Sequence, residues 1–231
     1  MKKFLGVIVP SALCLLLALF GFLFLGFSSC HKTEPLIDRV SELRFELYEG
    51  FTDDYSVKAA YGYKEHPSAN DGAIGNKVYA LSFLLCDKTP DDVARVLTFV
   101  HGENTYRAEF KLNPANDSLC ASVELADFAA KEFVVKIIVG SSAENVTLKS
   151  IIPERTITPA AALRALTEKQ GDFLSAYKNE KGEFTGEISQ RIIVKNEKPY
   201  WYVGIMNGKG GIKALLVDGI NGEILAVREI I

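Results

Sequence analysis

The side chains that could do solution chemistry here are few: the thiols of Cys86 and Cys120, three histidines, and some short carboxylate pairs. A cysteine nucleophile needs a basic neighbour to hold it as thiolate, and Cys86 is followed only by Asp87 and Lys88. His31, His66 and His101 have no ligand-like spacing. His66 precedes Pro67 and His101 opens the turn-like run His101-Gly102-Glu103-Asn104, so they read as solvated loop histidines. No His-Glu-x-x-His, Cys-x-x-Cys or Gly-x-Ser-x-Gly occurs in the chain. The stretch Asn207-Gly208-Lys209-Gly210-Gly211 has the glycines of a phosphate loop. Such a loop hands its anion to a helix N-terminus, whereas Ile212-Lys213-Ala214-Leu215-Leu216-Val217 reads as a strand, so a hairpin turn is the better fit. Asp53-Asp54 and Asp91-Asp92 lack the spaced oxygen ligands of a calcium loop. The chain therefore reads as noncatalytic, with no metal and no cofactor.

Another thiol carries more information. Lys2 and Lys3 precede an apolar run from Phe4 to Phe27 interrupted only by Ser11, and Ser28, Ser29 and Cys30 follow. A positive start, an apolar stretch and a small-residue cleavage site are the parts of a secretory signal. Phe27-Ser28-Ser29-Cys30 resembles the bacterial lipobox, although Phe27 stands where that family usually has an aliphatic residue. The resemblance implies a signal peptide over residues 1–29, cleaved before Cys30, whose thiol carries diacylglycerol. The protein would then be extracytoplasmic, anchored to a bacterial lipid membrane through the Cys30 acyl chains at roughly 0.8 kcal/mol per buried CH₂. The apolar run also exceeds the about 20 residues that span a bilayer, so an uncleaved anchor is an alternative, and simple secretion is a third.

Loss of Lys2 and Lys3 with the leader takes the net charge from −3 to −5. That mild acidity, without a basic stripe, argues against nucleic acid as a partner. Cys86 and Cys120 would remain in the folded part, either as a disulfide in an oxidising compartment or as two separate buried thiols. Sequence does not give their separation.

Behind these residues stand two blocks of elements. Residues 30–39 read as a tether. From residue 40 to 152 the pattern alternates with period two: Leu43, Phe45 and Leu47 oppose Glu42, Arg44 and Glu46, and Tyr55, Val57, Ala59, Tyr61 and Tyr63 repeat the spacing. Further strands are expected at 77–86, 93–100, 104–112, 118–125, 133–139 and 145–151, separated by turn chemistry such as Asn70-Asp71-Gly72 and Asn113-Pro114. About eight strands at regular spacing indicate a mainly β fold with an immunoglobulin-like β-sandwich. The Cys and Trp hallmarks of true immunoglobulin domains are absent.

Residues 153–158 form a linker, and the pattern then changes. Thr158 before Pro159 is an N-cap followed by proline at the first helical position, and Leu163 and Leu166 mark one apolar face. Four strands follow at 187–195, 199–206, 212–218 and 223–230, giving a small α+β unit, a helix plus an antiparallel meander, over residues 159–231. The linker prolines lead us to expect residues 33–152 and 156–231 to fold separately. Thr158-Pro159-Ala160-Ala161-Ala162-Leu163, Tyr200-Trp201-Tyr202-Val203-Gly204-Ile205 and Val217-Asp218-Gly219-Ile220-Asn221-Gly222-Glu223-Ile224-Leu225 resemble the PepSY module. The resemblance covers about a third of the chain. It implies a noncatalytic extracytoplasmic module of the kind found in peptidase propeptides, and it carries no catalytic residue.

Tyr200 and Tyr202 alternate with Trp201, so one set faces a core and the other is a candidate partner contact. Asp218, Asn221 and Gly222 read as a structural turn, with the Asp218 carboxylate accepting from turn amides and Asn221-Gly222 suited to positive φ. The function expected is a membrane-anchored binding module for a peptidase, peptide or envelope component. The alternative is a structural or assembly lipoprotein of the envelope that uses the sandwich for protein contacts.

Overall fold

Alternation of the kind seen over Tyr55–His66 suits a strand with one buried face, because successive side chains leave the backbone on opposite sides. The computed structural model describes residues 35–67, 75–87, 93–114, 118–169, 171–206 and 212–230. A 3-10 turn (Leu36–Arg39) leads into β1 (Val40–Phe51), β2 (Tyr55–His66), β3 (Asn76–Asp87), β4 (Arg95–His101), β5 (Asn104–Glu109), β6 (Lys111–Asn113), β7 (Ser118–Glu124), β8 (Glu132–Val139) and β9 (Ser142–Ser150). Helices α1 (Pro159–Lys169) and α2 (Gly171–Ser175) precede β10 (Glu187–Lys195), β11 (Lys198–Met206), β12 (Ile212–Asp218) and β13 (Ile224–Ile230). The fold is mainly β, and Pro35–Ile231 is one compact unit.

The strands belong to one curled, largely antiparallel sheet. One arm runs β1–β2–β3–β7–β6, and the other runs β1–β9–β8–β4–β5. Residues 104–112, expected as a single strand, divide at Phe110. Its side chain is buried and its N–H donates to the Arg95 carbonyl at 2.9 Å, so the chain leaves β4 as β5 and joins β7 as β6. The inward rows of both arms meet in a first core, with Leu81 and Phe83 of β3 against Leu97 and Phe99 of β4 and Val135 and Ile137 of β8. Tyr61 is buried here, and its hydroxyl donates to the carbonyls of Leu125 and Ala126 at 3.2 and 3.1 Å.

Strand β1 is where the sheet divides. Its first residues pair in parallel with β10, Val40 to Ile188 through Arg44 to Arg191, while Tyr48 and Glu49 pair with β9. Between these stretches the register against β2 shifts: Arg44 lies across from Gly62, Glu46 across from Tyr61 and Leu47 across from Ala60. The expected row Leu43-Phe45-Leu47 is therefore broken, because a bulge inserts one residue and turns the following side chains over. Gly62 makes room for this crossing, since a Cβ there would stand 1.9 Å from the Leu43 carbonyl oxygen.

Strands β10 to β13 form an antiparallel meander. Thr158 caps α1, its Oγ1 accepting from the Ala161 N–H at 3.2 Å. Ala162, Leu163 and Leu166 then bury one helical face against Ile188, Trp201, Val203 and Leu215. Each fully buried leucine or isoleucine of this set contributes about 1.5–3 kcal/mol. Val40 and Leu43 from β1 and Tyr63 from β2 complete this second core. Tyr61 and Tyr63 alternate on the same side of β2, so both cores occupy one face of the sheet.

Candidate functional site

With both cores on one face, the other face of the same strands is left open among the described residues, and it is a candidate surface. Ladder partners trace it across the sheet from Ala80 through Gly62, Arg44, Arg191 and Tyr202 to Leu216. Arg44 and Arg191 are exposed, while Ala80, Tyr202 and Leu216 are half-buried. In the middle of β2 and β3 the outward side chains are short, with Ala60 and Gly62 of β2 beside Ala80 and Ser82 of β3.

Alternation along β11 sets the aromatic residues. Trp201 points into the second core, fully buried, and its Nε1–H donates to the Ile157 carbonyl at 3.0 Å. Tyr200 and Tyr202 point the other way and are half-buried. The Tyr202 ring lies over Gly204, where a Cβ would come within 3.3 Å of it. The Arg191 guanidinium stacks on the ring at 4.5 Å from its centroid, an arrangement that holds a cation and a flat apolar surface side by side.

The turn after β12 is tied inward. The Asp218 Oδ1 accepts from the N–H groups of Ile220 and Asn221 at 2.8 and 3.1 Å, and Asn221 Oδ1 accepts from Glu223 N–H at 2.8 Å. Positive φ falls on Gly222 (72°) and not on Asn221. Gly222 lies against α1, a Cβ there meeting the Ala165 Cβ at 3.0 Å, and its carbonyl accepts from Lys169 Nζ at 3.3 Å. The neighbouring Gly219 carbonyl accepts from Ile157 N–H at 2.7 Å. The turn thus fastens helix and linker to the sheet, and the Asp218 carboxylate is occupied by backbone amides.

Cys86 and Cys120 are free thiols, the first exposed and the second half-buried. Cys120 pairs across from Leu84 and Leu119 from Leu85, which places Cys86 diagonal to Cys120 on the same outward side. Ser118 Oγ lies 3.4 Å from the Cys120 sulfur. His66 is exposed, and His101 rests beside the Phe128 ring at 5.0 Å between centroids. Cys30, His31, Asp91-Asp92 and Asn207-Gly208-Lys209-Gly210-Gly211 lie outside the described residues. Asp53 and Asp54 are exposed. Among the described residues no group of three His, Cys, Asp or Glu side chains converges as a metal site would, and no helix is long and apolar enough to cross a membrane.

Titration is displaced where groups are buried. Burial pushes Tyr63 up to about 12, with Tyr79 and Asp38 adding to the shift, and burial also raises Tyr61 and Tyr177. These phenols are neutral at pH 7 and serve packing. Glu46, beside the β1 bulge, is also raised by burial.

Arg44, Arg191 and the small outward residues of β2 and β3 did not stand out as site residues in the sequence. The signal for them is the even row of β2, Lys58-Ala60-Gly62-Lys64, whose middle is too small for an ordinary solvated face. No family model matches the chain, and neither does any curated protein or solved structure.

Proposed function

We propose that this chain is a noncatalytic binding lipoprotein of a bacterial envelope. Cys30 is acylated after removal of residues 1–29, and the folded part is held outside the cytoplasmic membrane. Residues 40–152 serve as an immunoglobulin-like sandwich, and residues 159–231 as a PepSY-like module that meets a peptidase, peptide or envelope component. The observation that carries the reading is the open sheet face. It spans strands from both halves of the chain, is floored by small side chains, and has the Arg191–Tyr202 pair near its middle. Continuity through the β1–β10 ladder lets both halves offer a partner one surface.

Two measurements test it. Labelled fatty acid should enter the wild-type chain and not Cys30→Ala; persistent labelling, or retention of residues 1–29, removes the lipoprotein assignment. A photo-crosslinking residue at position 202 should capture a protein in native membranes, and one at the exposed Arg164 of α1, which packs on the opposite side of the sheet, should not. Equal adducts from both positions, or none from 202, sink the binding reading. Capture from the exposed Val134 in the first half, with none from 202, supports the assembly role instead.

A further inference from the structure

The open face is not uniform in charge. Its larger hollow, about 880 Å³, is lined by Arg44, Lys58, Arg107 and Lys111 against the single carboxylate of Glu109. This lining runs against the net charge of the chain, which is −3. Arg44 is tied to Glu42 at 2.8 Å and Lys58 to Glu49 at 3.0 Å. Arg107 and Lys111 are exposed and stand outside both pairs. Ala60, Ser82 and Ser122 also line the hollow and are too short to fill it, and the two serine hydroxyls lie 3.4 Å apart. An adjoining hollow of about 490 Å³ shares Arg44, Ala60, Ser82 and Ser122 but is lined by Glu42, Glu65 and Glu124 against Arg44 and Lys64. The face therefore changes sign along its length.

We infer that the larger hollow receives an extended, carboxylate-rich peptide segment of a partner protein. The inference rests on the binding reading above and adds the chemistry of the ligand. Guanidinium groups accept the planar geometry of carboxylates as paired charged hydrogen bonds. The serine hydroxyls supply donors and acceptors for a peptide backbone passing over the small floor. A bilayer surface is broad and favours protruding cations, whereas these four surround a depression. A sugar chain favours exposed aromatic faces, and the one aromatic ring lining this hollow, Phe83, is buried in the first core. The acidic neighbouring hollow repels carboxylates, which confines the acidic segment to the larger hollow.

The test uses the full chain in zwitterionic detergent and a fluorescein-labelled decaglutamate peptide, read by anisotropy. Binding should weaken about tenfold or more between roughly 0.02 M and 0.3 M salt, as screening of exposed charges requires. The double variant Arg107→Glu with Lys111→Glu should bind at least about tenfold more weakly, with an unchanged melting curve. Arg107→Gln with Lys111→Gln should show a smaller loss and keeps the test open if charge reversal disturbs folding. Glu124→Lys should leave binding unchanged or tighten it. No binding by the wild type at low salt overturns the inference, as does binding that both double variants preserve. Tighter binding of dextran sulfate or of phosphatidylglycerol vesicles, lost in the double variant, also overturns it by assigning the hollow to a glycan or a lipid. If decaglutamate fails while position 202 still captures a protein, this inference falls and the binding reading stands. If decaglutamate binds and position 202 captures nothing, the binding reading falls, and the inference, which rests on it, falls with it.

Discussion

The first core draws all of its buried members from between Tyr48 and Leu148, with Leu97, Phe99, Val135 and Val146 at its centre. The second core, built around Leu166, Trp201 and Leu215, takes Val40, Leu43 and Tyr63 from the other half of the chain. Its innermost strand, β10, gains one of its two ladders from β1. A region whose contacts are nearly all its own can form first and alone. One that borrows a strand depends on the lender, and closing a loop of more than a hundred residues has a real entropic cost.

The sharpest way to break this asymmetry is to cut the chain. The prolines at 153 and 159 suggested two pieces that fold separately, but the β1–β10 ladder changes that expectation for the second. Residues 35–152 should give a dispersed amide spectrum, and residues 156–231 alone should not. Dispersion in the second piece would show that the borrowed residues are dispensable. Next in size are core truncations in the intact chain. Leu97→Ala in the first core and Leu166→Ala in the second should each cost about 2–5 kcal/mol. If the second core depends on the first, Leu97→Ala lowers the denaturant midpoint for both, whereas Leu166→Ala exposes a partly folded state with the first core intact. Identical single transitions in both variants would erase the distinction.

Smaller effects probe the fastening of the second region. Asp218→Ala should cost on the order of 1 kcal/mol through the turn amides it leaves without an acceptor. Gly222→Val should cost about 1 kcal/mol or more, since it combines positive φ with contact against Ala165. Denaturant melts should assign both losses to the second core. An Asp218→Ala variant of unchanged stability that loses partner capture at position 202 would make that carboxylate a ligand contact. The smallest effect lies at the division of β1. Burial raises the Glu46 carboxyl, so its proton is held more tightly in the folded state than in the unfolded one. Stability from this group is full below the ordinary glutamate range and declines as pH rises through the elevated value. Glu46→Gln should therefore raise the urea midpoint at pH 7 and leave it nearly unchanged at pH 4. A gain at both pH values would trace the effect to packing.

Much of the strand pattern was legible because it is local. The alternation Val57-Ala59-Tyr61-Tyr63, the Thr158-Pro159 start of α1 and the Asp218 to Gly222 turn each act within a few residues. The bend at Phe110 and the bulge after Arg44 were hidden, since one added or turned residue leaves no separate compositional mark. The parallel pairing of Val40 with Ile188 was hidden for another reason. Nothing near either residue names a partner so distant in sequence, and the choice is made by which strands can jointly bury Leu43, Tyr63 and Leu166. The candidate face fared similarly. The alternation of Tyr200, Trp201 and Tyr202 could be read directly, but Arg44 and Arg191 become neighbours only once that distant pairing exists.

Trp201 is the only tryptophan in the chain, and its indole N–H is joined to the linker carbonyl of Ile157 deep in the second core. That contact supplies a native optical reporter. Excited apart from the tyrosines, its emission follows the seating of one linker residue, while far-ultraviolet dichroism of the same unlabelled sample sums the strands of both regions, so a difference between the two transitions would mark the first region's own unfolding.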